Sequence, residues 1–329
     1  MTSIYDGLPV EHGTGEILSD KITDWRKTKL RSNAVASVMK DHSKYWIGRS
    51  KRMEDCGSNL QFAVSKTGDM RLYRADFCRD RMCPGCQKRR SLVVFHQVKN
   101  VCQSIHNDYP TYKYLLLTLT VPNVKADNLS DEIKHLTQSW DRLCKRAFFK
   151  KSIKGWFRAL EVTYNGDRDD YHPHFHVLLC VPSGYFKKNY VRQSEWLRHW
   201  QECTRYPHIT QVDVRAIKPN KKRPESDAIS SAAAEVGKYA TKPSNYITRL
   251  PDGQYLAIKN VVRELSTGIA RKRLIAYGGI MKEYHLKLQL DDVESDSVDL
   301  INVDGDTSAI DAVMIKVFRW NVGFGNYVG

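Results

Sequence analysis

Apolar and polar positions follow two different periods along the middle of the chain. Residues 114–121 form an apolar run rich in β-forming residues, and residues 156–164 and 174–181 form two more. Residues 128–149 instead repeat their apolar positions at helical spacing. Short apolar runs are typical of buried strands, whereas a period of about 3.6 residues is typical of an amphipathic helix. We therefore predict three strands, with a helix between the first and the second.

The two later strands are separated by the polar, turn-forming residues 165–170. This spacing predicts an antiparallel hairpin whose loop is longer than two residues. Helices are further predicted at residues 87–106, 194–202 and 228–241, and a strand at residues 210–217. Strands and helices thus alternate through the central region of the chain.

Changes in composition divide the chain into five segments. Residues 291–306 contain seven acidic residues and no basic one, which favours a solvated linker over an autoinhibitory mimic of DNA. The apolar character of residues 312–328 predicts a strand that returns to the body of the protein. The predicted segments are 1–50 (polar and basic), 51–106 (containing a cysteine cluster), 107–287 (central domain), 288–308 (acidic linker) and 309–329 (apolar).

Length and composition indicate a globular protein with a sizeable core. The chain has 329 residues, of which 41% are hydrophobic. No apolar run reaches the roughly 18 residues that a membrane-spanning helix needs, and the N-terminus has no apolar core of a secretory signal. We therefore expect a cytoplasmic protein without a membrane partner.

The formal net charge of +15 points to a polyanionic partner, since basic side chains gain affinity for nucleic acid by displacing cations condensed on phosphates. Residues 142–158 combine seven basic residues and four aromatic rings with no acidic residue, a composition suited to single-stranded DNA. At least two of these rings are instead expected in the core of an amphipathic helix. The predicted DNA-binding residues are Arg142, Lys145, Arg146, Lys150, Lys151, Lys154 and Arg158.

Four of the eight cysteines have the spacing of a metal site. Cys83 and Cys86 are separated by a proline and a glycine, and Cys78 and Cys56 supply two further thiols. Four thiolates form a closed, tetrahedral zinc site, which stabilises a fold and does no chemistry. The alternative is a redox-active Cys-x-x-Cys pair, which leaves two cysteines unexplained and lacks a preceding strand. We predict a module with structural Zn²⁺.

Two histidines share one face of a predicted strand. His174 and His176 are two residues apart, so their side chains point to the same side, about 7 Å from each other along the strand. Glu161 is the single acid in the apolar strand predicted to pair with the histidine strand. Burial of its carboxylate without a metal ion or other polar partner would be costly. We predict that these three residues bind Mn²⁺ or Mg²⁺ and leave positions open for a phosphate oxygen and water. A non-haem iron oxygenase site is the alternative, but nothing else in this basic chain suggests an oxidisable small substrate.

A tyrosine lies on a predicted helix downstream of the histidines. Glu235 precedes Tyr239 by four residues and Lys242 follows it by three, so all three share one helix face. A phenol with an ordinary pKa of about 10 is a weak nucleophile and needs a metal ion or a cation beside it. Lys242 offers such a charge, and Glu235 could act as a general base on water. The alternative is an ordinary pairing of polar residues on a helix surface.

Taken in order, these features resemble those of the HUH endonucleases, in particular the replication initiators (Rep proteins) of small rolling-circle plasmids. Residues 116–123 look like the first motif of that family, residues 174–176 like its histidine–hydrophobic–histidine motif, and residues 239–242 like its tyrosine–x–x–lysine motif. The cysteine cluster, with residues 83–90, is also similar to members of this plasmid family. The resemblance covers residues 56 to about 285, most of the chain.

The resemblance implies a fold and a reaction cycle. The fold is α+β, with a central antiparallel sheet of about five strands, the histidine strand in its middle and helices around it, joined in this chain to a zinc module. Tyr239 would attack the origin strand, form a 5′-phosphotyrosine and free a 3′-hydroxyl as primer. In this plasmid group a glutamate four residues before the tyrosine directs water in the terminating cleavage, and Glu235 occupies that position.

The implied partners are origin DNA, as a hairpin or a single strand, and a helicase of the host, because the chain has no nucleotide-binding motif of a fused helicase. A dimer on DNA is compatible with this cycle. Two alternative functions stay open: a transposase or mobilisation relaxase with the same HUH chemistry, and a non-catalytic, zinc-containing DNA-binding regulator. For the regulator, His174, His176 and Tyr239 would be dispensable.

Overall fold

Strands and helices are interspersed along the described chain, so the predicted α+β class is confirmed. The computed structural model describes residues 5, 7–19, 24–40, 43–217, 228–237, 243–306, 308 and 310–329. The chain forms two compact units, the first from residues 1–90, 246–263 and 299–329, and the second from residues 91–245 and 264–298. Among the described residues, no helix is both long and apolar enough to cross a membrane.

Helices and strands follow one another along the described chain in a fixed order. They are β1 (Val10–Glu11), α1 (Trp25–Met39), α2 (Lys44–Asp55), β2 (Asn59–Ser65), β3 (Met70–Ala75), α3 (Pro84–Asp108), β4 (Lys113–Thr120), α4 (Ala126–Cys144), α5 (Ala147–Ser152), β5 (Gly155–Asn165), β6 (Asp170–Val181), α6 (Gln193–Thr204), β7 (Asp213–Ala216), α7 (Ala228–Val236), β8 (Ile247–Arg249), β9 (Tyr255–Ala257), α8 (Lys259–Gly268), β10 (Ile275–Gly279), α9 (Ile280–Lys287), β11 (Ala312–Asn321) and β12 (Asn326–Val328). Short 3₁₀ turns occur at Ser183–Phe186 and Pro243–Asn245.

The second unit is built on an antiparallel sheet with the strand order β10-β5-β6-β4-β7. The histidine strand β6 is therefore central, as expected. Nearly every residue of β4, β5 and β6 is buried or partly buried, because α4 packs against β6 while α7 contacts β4 and β6. The predicted hairpin is confirmed, with the four residues 166–169 between the paired Asn165 and Asp170.

Several predicted boundaries are wrong. Helix α7 ends at Val236, five residues before the predicted end at residue 241, because the backbone leaves the helical conformation at Gly237, so the predicted single helix face from Glu235 to Lys242 is not supported. The single helix predicted at residues 128–149 is divided into α4 and α5, because the backbone at Arg146 is extended, with ψ of 142°. This break lets the buried ring of Phe149 pack edge-on against Trp140, with ring centres 5.6 Å apart. Strand β6 begins at Asp170 and continues through Pro173, four residues earlier than predicted.

The first unit contains a second sheet, in which β11 lies between β1 and β2 and also pairs with β12. The apolar C-terminal segment therefore returns to the body as predicted, with Ile315 opposite Ala63. The acidic segment is less solvated than predicted, because its apolar residues Val293, Val298 and Leu300 are buried. The predicted five-segment division stays a prediction, and segments far apart in sequence contribute to one compact unit.

Gly278 is a point of very close approach between β10 and β5. It pairs with Trp156, and a Cβ atom at position 278 would lie 2.2 Å from the indole ring. We predict that Gly278→Ala lowers the free energy of unfolding by about 1–3 kcal/mol, because the ring or the strand must move. Gly184→Ala is the control, since nothing lies within 4 Å of its Cβ position. Equal urea midpoints for the two variants would contradict the prediction.

Candidate functional site

The three predicted ligands of the catalytic metal lie together on one face of the second unit's sheet. Glu161 on β5 is directly opposite His174 on β6, and His176 is two residues further along the same face. Glu161 Oε2 is 3.2 Å from Nε2 of His176 and 3.8 Å from Nε2 of His174. The ligand atoms of all three residues are within 4.8 Å of one another.

Neighbouring groups orient both imidazole rings. Nδ1 of His174 is 3.1 Å from the backbone oxygen of His172, and Nδ1 of His176 is 3.4 Å from Thr118 Oγ1. Contacts at Nδ1 leave Nε2 of each ring directed at Glu161, as in metal sites whose histidines are held by outer partners. Sequence reasoning missed Thr118, although its strand has alternating threonines and Thr118 pairs directly with His176.

Burial sets the protonation of this cluster. Glu161 and His174 are buried, with exposed fractions of 2% and 7%. Burial lowers the pKa of His174 to about 4, so its imidazole is neutral at neutral pH, the form that binds a metal ion. The half-buried ring of His172 stacks on His174 with ring centres 5.0 Å apart, and burial lowers its pKa too.

The cluster fits a hard divalent ion. Adjacent ligands in an octahedron with bonds of about 2.1 Å are about 3.0 Å apart, which is close to the shorter of the two nitrogen–carboxylate distances. Two imidazole nitrogens and one carboxylate form a mixed nitrogen and oxygen donor set that can hold a divalent ion such as Mn²⁺, whereas Mg²⁺ would depend mainly on the carboxylate and on oxygen ligands from phosphate and water. The remaining coordination positions would be available to phosphate and water.

Tyr239 and Lys242 lie outside the described residues, but the chain on either side of them is described. Helix α7 ends at Val236, and Gly237 then passes so close to α3 that a Cβ atom there would be 3.2 Å from Cβ of Phe95. A larger residue at position 237 would push the chain away from α3.

The chain that follows Lys242 is fixed to the ligand strand. Asn245 donates a side-chain hydrogen bond of 3.1 Å to the backbone oxygen of Val162, the residue after Glu161. The tyrosine segment, residues 238–242, thus follows α7, which packs on the sheet, and precedes Asn245, which is hydrogen-bonded next to the predicted ligand Glu161. Sequence reasoning missed this asparagine, because a side-chain bond to a distant backbone oxygen leaves no signal in the sequence.

Glu235 lies on α7, which packs on β4 and β6. Its Oε1 is 3.1 Å from Nη2 of Arg215 on β7. Arg215 is opposite Leu116, which is opposite Leu178, two residues from His176. Because directly opposed residues share a face of a sheet, Glu235 is held over the face that bears the histidines.

The predicted DNA-binding residues differ in their surroundings. Arg158 is buried with its guanidinium 4.2 Å from the ring centre of Phe175, and burial lowers its pKa to about 10. It is therefore not part of an exposed basic surface. Arg142 donates to the backbone oxygen of Cys203, and Arg146 is 3.2 Å from Glu202. The exposed members of the set are Lys145, Lys150, Lys151 and Lys154.

The aromatic rings of this basic segment face inwards. Phe149 on α5 and Phe157 on β5 are buried, so two of the four rings belong to the core as predicted, although the second lies on a strand and not on a helix. Phe148 stacks on His199, with ring centres 4.0 Å apart and planes at 11°. These three rings are therefore committed to contacts within the second unit.

The four predicted zinc ligands lie together in the first unit. The Sγ atoms of Cys56 and Cys86, of Cys83 and Cys56, and of Cys78 and Cys86 are 3.6, 3.6 and 3.7 Å apart. Sulfurs around a tetrahedral ion with bonds of about 2.3 Å are about 3.8 Å apart, so the cluster fits zinc. Hydrogen bonds from the other sulfurs hold the pKa of Cys83 well below its ordinary value.

A buried lysine lies beside the sulfur cluster. Lys29 donates to the backbone oxygens of Glu54 and Cys56 and, at 2.7 Å, to Ser58 Oγ. Burial lowers its pKa, while the nearby thiols act in the opposite direction. Its position on α1 places an amine beside the cysteine cluster, a contact that the sequence did not reveal.

Comparison with known proteins identifies the family. The profile of the family described as Replication protein matches residues 69–328. The protein named Protein rep of Streptococcus pneumoniae serotype 2 (strain D39 / NCTC 7466) is 36% identical over 310 residues, which are 93% of this chain and 92% of that protein. Protein rep of Bacillus amyloliquefaciens is 34% identical over 334 residues, covering 95% of this chain and 97% of the relative.

Shorter relatives also match. Protein rep of Staphylococcus aureus is 36% identical over 228 residues, which are 68% of this chain and 94% of the relative. No solved structure matches the chain. Because the family profile covers most of the chain and relatives match along nearly its whole length, the chain belongs to the Replication protein family, and the resemblance to plasmid replication initiators is confirmed.

Proposed function

We propose that the protein starts rolling-circle replication of a plasmid by nicking one strand of the origin, with Tyr239 as the nucleophile. The observation that carries this proposal is the cluster of Glu161, His174 and His176 in a member of the Replication protein family. Further support comes from Asn245, which ties the end of the tyrosine segment to the strand of Glu161. The HUH endonuclease fold belongs to the same proposal, supported by the central position of β6.

The proposed cleavage exchanges one phosphate ester for another. The phenol oxygen of Tyr239 bonds to phosphorus, the bond from phosphorus to O3′ breaks, and the leaving oxygen takes up a proton to become the 3′-hydroxyl primer. The phenol proton passes to solvent, and Lys242 favours the phenolate by its charge. A divalent ion held by the three ligands would polarise the scissile phosphate and offset its charge. The 5′ phosphate stays esterified to the tyrosine.

Termination is assigned to Glu235. Its carboxylate accepts a proton from water as the water attacks the phosphorus of the second cleavage site, and the earlier 5′-phosphotyrosine is resolved by strand transfer to a 3′-hydroxyl. The contact of 3.1 Å with Arg215 supports this role, because it fixes the carboxylate over the histidine face. A host helicase that unwinds the duplex and a dimer on the origin complete the proposed assembly.

Structural zinc at the four cysteines is a separate part of the proposal. The sulfur distances of 3.6–3.7 Å support it, as does the buried amine of Lys29, which donates to the backbone oxygen of Cys56. Bound zinc would join the C-terminal end of α2 to the start of α3, since Cys56 follows α2 and Cys86 lies in the first turn of α3. We assign it no part in the chemistry.

The nucleophile is tested by Tyr239→Phe. We expect this variant to bind a labelled single-stranded origin oligonucleotide but to neither cut it nor form a covalent adduct, because only the phenol oxygen is removed. The parent should require Mn²⁺ or Mg²⁺ and stop with EDTA. Adducts are measured on denaturing gels and mapped to a tryptic peptide. Undiminished cleavage by the variant, or an adduct on another peptide, would refute the mechanism.

The termination step is tested by Glu235→Ala. We expect the first cut at close to the parent's rate but an accumulation of covalent protein–DNA complexes, because water is no longer activated for the second cleavage. Glu195→Ala is the matched control, which removes a carboxylate from the first turn of α6. Covalent and released products are counted over time on denaturing gels. Normal product release by Glu235→Ala would remove this residue from the mechanism.

The zinc proposal is tested by Cys86→Ser. We expect the bound zinc, about one ion per chain, to be lost and the melting temperature to fall, because a tetrahedral site with three thiolates binds zinc more weakly. Cys144→Ser is the control, a partly buried cysteine outside the cluster. Metal content is read by mass spectrometry and melting by circular dichroism. Parent levels of zinc in Cys86→Ser would exclude the site.

A further inference from the structure

Helix α2 presents one face to solvent along its whole length. Lys44, Lys51 and Arg52 are exposed on it, together with Tyr45 at 67% and Ile47 at 37%. At 100° per residue these five side chains fall within a single arc of the helix. Asp55, at the C-terminal end of the helix, is exposed on the same arc. The arc therefore carries three basic residues and one acidic residue, with the aromatic ring of Tyr45 at its edge.

The opposite face of α2 is rigidly held within the first unit. Arg49 donates through Nε and Nη2 to both oxygens of Asp80, at 2.7 and 2.9 Å, in the loop between two of the clustered cysteines. Ser50 donates to the backbone oxygen of Ala36 on α1 at 2.8 Å. Lys29 donates to backbone oxygens at the C-terminal end of the helix. The exposed arc is therefore presented on a fixed support.

Two residues of the arc disfavour the helix itself. Lys44 places a positive charge in the first turn, where the turn has no acid and Ser43 makes no side-chain capping bond. Gly48 is in the middle of the helix, where glycine costs stability relative to alanine. Packing does not require this glycine, since a Cβ atom there would meet nothing nearer than Nη1 of Arg52 at 3.8 Å. Lys44 instead adds a charge that attracts an anion, and Gly48, which has no side chain, leaves room for the anion to approach the helix backbone.

We propose that this arc, which also contains Gly48, binds duplex DNA at the origin with the helix in the major groove. The inference rests on the proposed function, because a plasmid origin is duplex DNA until it is nicked and unwound. A rigid helix about 10–12 Å across matches a groove about 12 Å wide, whereas single strands are held by grooves with stacked rings. Gly48 lets the backbone of the helix approach the DNA.

The test compares two double variants of the full chain that each lose two positive charges. Binding to a labelled mixed-sequence duplex of about 30 base pairs is measured by anisotropy across a salt series. For Lys51→Ala/Arg52→Ala we expect at least tenfold weaker binding near 0.1 M salt and a salt slope smaller by about 1.8, from two lost phosphate contacts. The control Lys282→Ala/Lys287→Ala removes two exposed lysines of α9 and should change binding less than threefold.

A third variant separates binding from folding. Gly48→Gln should raise the melting temperature, because a good helix former replaces glycine, and should still weaken duplex binding at least fivefold by filling the arc. Unchanged binding in this variant, or equal losses in the two double variants, would overturn the proposal. A loss confined to a labelled single strand would assign α2 to that ligand and overturn it too.

Cleavage of a single-stranded origin oligonucleotide is measured in parallel. It should be unchanged in all α2 variants, because none of them alters the metal ligands or the tyrosine. Absence of cleavage by the parent would defeat the proposed function alone, since the duplex-binding comparison would still decide the role of α2. Loss of single-strand cleavage in the α2 variants, with parent cleavage intact, would defeat the inference alone.

Discussion

The pairing register of β5 with β6 is the constraint on which the candidate site depends. The ladder runs without interruption from Gly155 opposite Cys180 to Asn165 opposite Asp170, and it places Glu161 opposite His174. Because side chains alternate between faces, a slip of one residue would carry the carboxylate to the other face, away from both imidazoles. That slip would also bring Leu160 to the histidine face. The cost of burying an unpaired carboxylate therefore works together with apolar packing to fix the register.

Buried charge is handled differently on the two faces of this sheet. On the histidine face, the Glu161 carboxylate faces two nitrogen atoms at 3.2 and 3.8 Å, an arrangement that a cation could complete. On the other face, the guanidinium of Arg158 lies 4.2 Å from the ring centre of Phe175, so an aromatic face supports the cation. The first unit follows the same physical rule, with Lys29 beside the thiols and Arg49 paired with Asp80.

The described residues on either side of the tyrosine segment are held by contacts within the second unit. Gly237 permits close contact with α3, and Asn245 bonds to the strand of Glu161. Tyr239 follows Gly237 by two positions along the chain, which limits their Cα separation to about 7 Å.

The sequence by itself determined which residues could share a face. A period of two put His174 with His176, the spacing of four cysteines marked one site, and apolar runs predicted β4, β5 and β6, because these signals are local. The alternation of threonines in β4 is also a local pattern, since it places Thr118 and Thr120 on one face of the strand. Other features depended on partners far away in the chain: the inward orientation of Arg158, the break before α5, the anchor at Asn245, and the choice of β2 as the pairing partner of β11. Only the tertiary structure decided these, because burial and long-range pairing follow from how all the segments pack together, and no local pattern records that.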